Sequence, residues 1–371
     1  MPAKTMKPPV PMGSYSQKDV VFLLKDISDV MPESSTQDRE EAVQSGTHYS
    51  EMLPIEYKPS EEYISLFHLS LAQYKERLAI AAGVVAEQII KERGKGAVLV
   101  SLARAGTPIG ILIKRYILFK YGIDVPHYSV SIIRGRGIDE NAMKYIFENH
   151  PSESIQFVDG WTGKGAIKKE LNEAVEHLNK TYGTNISDTM AVLADPGYCV
   201  TIYGTRGDFL IPSACLNSTV SGLVSRTVLN SEFISPTDYH GAKYYRELEK
   251  EDLSLHFIET IADQFTLVKE EVERHLEAMT ASEPTWQGLA DIKKIQDDFG
   301  IENINLIKPG VGETTRVLLR RVPWRILVKS LDNADLEHIR LLAEERNVPI
   351  EEYPDMSYSC CGLIKPLKEG N

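Results

Sequence analysis

The stretch Ile155-Gln156-Phe157-Val158-Asp159-Gly160-Trp161-Thr162-Gly163-Lys164-Gly165 decides the fold of this chain. A mostly apolar run climbs to one carboxylate. A glycine-rich turn with a hydroxyl and an ammonium follows, and a helical pattern starts at Ala166. That order spells a strand, a tight loop and a helix N-terminus. Glycine frees backbone N–H groups in the loop, and the helix dipole adds partial positive charge, so the turn reads as an anion cradle. Asp159, at the strand tip, suits ribose hydroxyls or a metal ion. The loop is not a Walker A sequence, because it lacks the four residues between glycines and the Ser/Thr after the lysine.

Working outward, the same grammar repeats. Ala97–Leu102 reads as a strand, Ser101-Leu102-Ala103-Arg104-Ala105-Gly106 as a tight turn, and Ile109–Tyr121 as a helix. His127–Ile133 is β-branched, Ala166–Lys180 is helical, and Met190–Ala194 is a strand ending at Asp195. Residues 70–93 carry apolar side chains at helical spacing. Alternating strands and helices predict a mainly parallel sheet covered on both faces, with ligands beyond the carboxyl ends of the strands. Arg104, Arg134, Asp159 and Asp195 all fall at such ends. Residues 252–279 read as one long helix and Thr280–Gln287 as a linker. A second α/β unit follows: strand Ile304–Ile307, a glycine turn, helix Glu313–Arg321, strand Arg325–Val328 and helix Ala334–Arg346. The expected organisation is an N-terminal extension (1–65) packed on a first domain (66–280), a linker and helix (281–299), and a small C-terminal domain (300–371).

Composition narrows the class. The 371 residues carry a formal net charge of −12, against a broadly basic nucleic-acid binder. Residues 308–329 reverse that sign locally, with Lys308, Arg316, Arg320, Arg321, Arg325 and Lys329 against Glu313 alone. No apolar run approaches the roughly 18–20 residues that cross a bilayer, and residues 1–16 lack a signal-peptide core. Cys199, Cys215, Cys360 and Cys361 lack metal-ligand spacing, so the expectation is a cytoplasmic protein with reduced thiols. Pro212–Thr227 is dense in small and hydroxyl residues and contains Cys215. A thiolate nucleophile needs a base and an orienter, for which His240 with Asp238 or Asn217 are the candidates. Arg134-Gly135-Arg136-Gly137 reads as a mobile loop able to close over a charged leaving group. Asp195 and Asp208 sit in turns and are candidates for binding substrate or Mg²⁺.

Two resemblances add to this reading. Ser101–Pro108 resembles the pyrophosphate-binding loop of type I phosphoribosyltransferases, and Phe157–Gly165 resembles their ribose-phosphate loop, with Gly160 where a second acid usually stands. The resemblance implies a type I phosphoribosyltransferase-like α/β sheet that transfers a phosphoribosyl group from 5-phosphoribosyl pyrophosphate, with Mg²⁺, to an acceptor the sequence does not name. It implies that Asp159 holds the ribose hydroxyls and the metal. It places Thr162, Gly163, Lys164 and Gly165 around the 5′-phosphate, and Ser101, Ala103, Arg104, Ala105 and Gly106 against the pyrophosphate. Arg134 and Arg136 would act on the leaving group. More widely, residues 14–280 resemble the phosphoribosyltransferase-like domain of bacterial tellurite-resistance and stress operons, through Gly13–Ser16, His48–Pro54 and Ile211–Thr227. That family is associated with a nucleoside-like metabolite and also carries the label cysteine protease StiP.

The second resemblance is in the C-terminal domain. Lys308-Pro309-Gly310-Val311-Gly312-Glu313-Thr314-Thr315-Arg316, with Leu341–Pro349 and Cys361-Gly362, resembles the Pelota-like RNA-binding fold. It implies structured RNA as a partner, gripped by Lys308, Gly310, Gly312, Glu313, Thr314, Arg316 and Arg320. Three expectations stand side by side: a phosphoribosyltransferase, a cysteine peptidase using Cys215, and a non-catalytic sensor of a nucleotide or phosphoribosyl pyrophosphate. Self-association is left open.

Overall fold

Alternating burial along the central strands sets the architecture. Val98, Val100 and Leu102 enter one core, while Leu99 enters the other. Phe157 and Val158 divide in the same way, as do Val192 and its neighbours Ala191 and Leu193. Successive strand side chains point to opposite faces, so a sheet apolar on both faces must be covered twice.

The computed structural model describes residues 6–35, 38, 42, 45–280 and 282–365. Residues 1–5 of the expected arm and 366–371 of the expected last domain lie outside the described residues. The main sheet contains β1 (Val21–Phe22), β2 (Val98–Ala103), β3 (His127–Ile133), β4 (Ile155–Trp161), β5 (Met190–Ala194) and β6 (Ile202–Thr205). Their spatial order is β1-β3-β2-β4-β5-β6, parallel throughout, and the short strand Gly137–Ile138 folds back antiparallel on β3.

One face carries α1 (Glu61–Arg93) and α2 (Gly106–Tyr121), on which α5 (Ser254–Ala262) and α6 (Phe265–Ala278) pack. The other carries α3 (Glu140–Asn149) and α4 (Ala166–Tyr182). The N-terminal segment is built into this domain. Val21 and Phe22 pair with Tyr128 and Ser129, and Met12, Tyr15, Val20 and Leu24 join the core. The helix expected over 252–279 is two helices, divided at Asp263–Gln264.

The C-terminal domain has α7 (Gln287–Asp298), β7 (Ile307–Pro309), α8 (Val311–Arg320), β8 (Pro323–Val328), α9 (Glu337–Glu345), β9 (Ile350–Glu352) and β10 (Cys360–Ile364). Its sheet runs β7-β10-β8-β9, antiparallel except for β8 with β9. Here too the strands alternate. Leu327 and Cys361 face the α7 side with Ile292 and Ile295. Ile326, Val328 and Cys360 face α8 and α9, in a core continuous with that of the first domain. The mixed α/β fold with a mainly parallel sheet and a small C-terminal domain is therefore present, and the two domains share apolar packing.

Candidate functional site

The two glycine turns singled out in the sequence meet at the strand ends. Gly106 opens α2 directly against β4: a Cβ there would lie 2.4 Å from the Val158 carbonyl oxygen, so only glycine lets the first turn approach the second. Asp159 sits beside this contact and accepts from the Gly160 N–H at 2.8 Å. Burial pushes its carboxyl up to about 7, and the one amide bond opposes that only in part. Arg104 lies near Glu56, Arg316 and Arg320, and burial lowers its pKa. Ala103 and Ala105 flank it half-buried.

Several residues expected to bind a ligand are engaged by contacts within the fold. Ser101 is fully buried, its hydroxyl donating to the Gly106 carbonyl at 2.9 Å and meeting His127 Nε2 at 2.8 Å. Asp195 is fully buried. Its oxygens take the Thr162 hydroxyl, the Cys199 and Val200 amides and the Arg206 guanidinium, which leaves no face for substrate. The loop expected to be mobile is pinned: Gly135 and Gly137 donate to the Glu170 carboxylate at 2.7 and 2.8 Å, Arg134 N–H to the Tyr49 hydroxyl, and Arg136 to Glu51. Among the described residues no group of three or more His, Cys, Asp or Glu is placed to hold a metal. Asp159 contributes a single carboxylate at this strand end and Gly160 adds none.

The Lys308–Gly312 turn of the C-terminal domain faces the Thr162–Gly165 turn. Asp208 accepts from the Val311 amide at 2.9 Å and the Ser359 amide at 2.8 Å, capping the N-terminus of α8 from the other domain. Burial pushes Asp208 up to about 6. From the opposite side, Lys164 Nζ donates to the carbonyls of Ile304 (2.8 Å) and Ile307 (3.2 Å), and the Tyr358 hydroxyl to the Gly163 carbonyl (3.0 Å). Burial first, then Lys308 and Arg134, lower Lys164 to about 8. Gly165 holds φ +79° against Trp286 and Cys199.

Several of the residues expected to grip RNA also make contacts within the chain. Gly310 and Gly312 abut Asp208 and Ala214, Thr314 is buried, and Glu313 pairs with Arg316. Arg316 Nε donates to the Ala214 carbonyl at 3.0 Å, and Arg320 to the Tyr63 hydroxyl at 2.7 Å and the Cys215 carbonyl at 3.4 Å. Lys308 is half-buried. The cavity left between Trp161, Thr162, Ala214, Gly312 and Glu313 is about 20 Å³, room for about one water.

Cys215 lies at the edge of this closed seam, 1% exposed. Burial pushes its thiol up to about 12, while Arg316, the Ser70 hydroxyl and Arg320 pull it down. The expected dyad is not assembled. His240 binds Ser131 Oγ through Nδ1 at 2.8 Å and gives its backbone N–H to Asp139, while Asp238 pairs with Lys25. The other thiols are buried too, and each has a carboxylate working against ionisation: Asp195 for Cys199, Asp208 for Cys360 and Cys361. The sequence reading missed Glu56, which accepts from the Ser218 amide and hydroxyl at 3.1 Å each, and Ser70 beside the thiol. Neither sits in a recognisable spacing; both meet the site only through tertiary packing.

An α/β domain whose strand-end crevice is sealed by a small α/β module defines the class. Residues 13–262 match the family described as tellurite-like stress resistance cysteine protease StiP, and residues 286–366 match the PELOTA RNA binding domain. A protein of Acinetobacter baylyi named Cysteine protease StiP is 35% identical over 370 residues, covering 96% of this chain and 95% of its own. The chain belongs to the StiP family. Among solved structures, the Helicobacter pylori xanthine-guanine-hypoxanthine phosphoribosyltransferase is 16% identical, covering 32% of this chain and 70% of its own, at a TM-score of 0.24. A probable N-succinyldiaminopimelate aminotransferase of Thermus thermophilus is 12% identical over 69% and 71%, at 0.21. Neither score carries an argument. The expectation of a phosphoribosyltransferase, a glycosyltransferase by class, is thus corrected: the family and the full-length relative both point to a cysteine protease. No helix among the described residues is long and apolar enough to cross a membrane.

Proposed function

We propose that this chain is a cysteine peptidase, with Cys215 as its nucleophile and structured RNA as the partner of its C-terminal domain. The observation that carries the peptidase reading is the likeness, over nearly the whole chain, to the A. baylyi protein named Cysteine protease StiP. Electrostatics select the thiol. Of the four cysteines, only Cys215 has charged neighbours that are all cations, the surroundings that favour a thiolate once water reaches it. The Cys215 sulfur attacks the scissile carbonyl carbon, the S–C bond forms as the C–N bond breaks, and the amine leaves with the proton given up by the thiol. Water then hydrolyses the thioester. In the closed arrangement the thiol is shut away, so the reaction requires α8 to lift from Ala214–Cys215. The RNA reading is supported by the match of residues 286–366 to the PELOTA RNA binding domain.

Digestion of a denatured-protein peptide library, read by mass spectrometry, tests the peptidase. Cys215→Ser is expected to abolish cleavage, and Cys199→Ser to retain it. Cleavage by Cys215→Ser at the wild-type rate would remove the proposal.

A further inference from the structure

The turn that resembles an RNA grip is largely engaged with the first domain, with the Glu313 and Arg316 side chains 38% and 30% exposed. Its helix N-terminus is capped by Asp208, and Arg316 and Arg320 are turned onto carbonyls and a tyrosine of the first domain. Two exposed cations of the domain, Arg321 and Arg346, lie at the other end of α8. There Arg321, Trp324, Arg346 and Asn347 line an open cleft of about 400 Å³. Arg321, Arg346 and Asn347 are exposed, and Val322 beside them is 65% exposed. Among the described residues neither Arg321 nor Arg346 forms an ion pair; Glu351, the carboxylate on the adjoining strand, is taken by Arg325 at 2.6 Å. The Arg325 guanidinium lies 4.3 Å from the Trp324 ring centroid, and Phe299 meets the same indole edge-on. The indole is thereby held in position, and Trp324 lines the cleft.

A held aromatic residue sharing one cleft with two guanidiniums that form no ion pair matches the chemistry of an unstacked nucleobase flanked by phosphates. On a chain of net charge −12, Arg321 and Arg346 give this cleft a local attraction for a polyanion.

We propose that this cleft, and not the Lys308–Arg316 turn, is the RNA-binding site of the C-terminal domain, with phosphates on Arg321 and Arg346 and a base stacked on Trp324. The inference rests on the reading of RNA as the domain's partner. The site lets the chain hold RNA without opening the seam between its domains.

Fluorescence anisotropy of the full chain with a fluorescein-labelled kink-turn RNA and with a labelled 12-nucleotide oligouridylate tests it. Trp324→Ala is expected to weaken binding about 10-fold, and the Arg321→Ala/Arg346→Ala double variant by at least as much, with the salt slope of log K reduced by about 0.7 for each lost phosphate contact. Trp324→Phe, which keeps a stacking ring, is expected to retain most of the affinity, separating stacking from misfolding. Lys308→Ala and Glu313→Gln should stay within about 2-fold of wild type, since neither side chain reaches the cleft. Loss of binding in those two variants with Trp324→Ala unaffected would overturn the site while leaving RNA as the partner. Absence of binding to both probes by the wild-type chain at low salt would overturn both.

Discussion

The turns Thr162–Gly165 and Lys308–Gly312 carry the same sequence signature, glycine and lysine ahead of a helix, yet the fold uses them in opposite electrical senses. The first turn offers a cation: Lys164 reaches across to two carbonyls of the C-terminal domain. The second offers the positive end of a helix, and the first domain fills it with Asp208. Each turn is satisfied by the other domain. An anion cradle read from sequence is a statement about unpaired N–H groups and charge, and a carboxylate of the same chain answers it as well as a phosphate does.

The hardest way to break this arrangement is at its tightest point. A Cβ on Gly165 would lie 2.3 Å from the Trp286 ring and 3.0 Å from Cys199 Sγ, at a φ of +79° that side chains rarely adopt. Gly165→Ala should therefore destabilise the protein by about 3 kcal/mol, through overpacking and strain together, and displace Trp286. Denaturant unfolding followed by tryptophan fluorescence measures both. A loss below about 0.5 kcal/mol, the level of an ordinary surface change, would show that the turn yields freely.

Asp208→Ala attacks the other turn. The buried amide of Val311 and the half-buried amide of Ser359 lose their acceptor, at a cost of about 1–3 kcal/mol. The loss falls on the seam that covers Cys215. Iodoacetamide labelling mapped by mass spectrometry should rise several-fold at Cys215 and stay flat at Cys199, which lies behind Trp286 and Asp195. Equal labelling at both thiols would mean general loosening in place of an opened seam.

Local patterning made much of the first domain readable. Met190–Ala194 falls where its apolar run predicts, because a parallel strand buried on both faces leaves a continuous apolar signature, and His127–Ile133 falls where its β-branched residues predict. The edge strand β6 and the two residues of β1 escape, being too short and mixed to leave a period. Helix α3 was hidden by its polar face, although Asp139, which accepts from the amides of Asn141 and Ala142, is a legible N-cap. β10 was seen only as Cys361-Gly362, yet its adjacent cysteines face opposite cores, which accounts for both being buried. The site was legible residue by residue and not as an assembly. Asp208 meets Val311 across 103 positions, and His240 parts company with Cys215 for reasons that only packing decides.

Asp159 offers the finest probe of the crevice, because its cost is electrostatic and leaves the backbone alone. Its carboxyl titrates near 3.8 when unfolded and is pushed to about 7 by burial in the folded chain. The folded state therefore binds the extra proton in that window. The stabilising contribution of the neutral acid is complete below the unfolded value and is lost as the pH rises through the folded one. Asp159→Asn keeps the shape and removes the ionisation. It should match wild type near pH 4 and exceed it by about 1–2 kcal/mol at pH 8, less than full burial would imply because the side chain keeps partial exposure. Urea unfolding at the two pH values reads the difference directly. A gap of equal size at pH 4 and pH 8 would assign it to packing and would mean that water reaches the carboxylate freely, so that the seam between the two turns is open in solution.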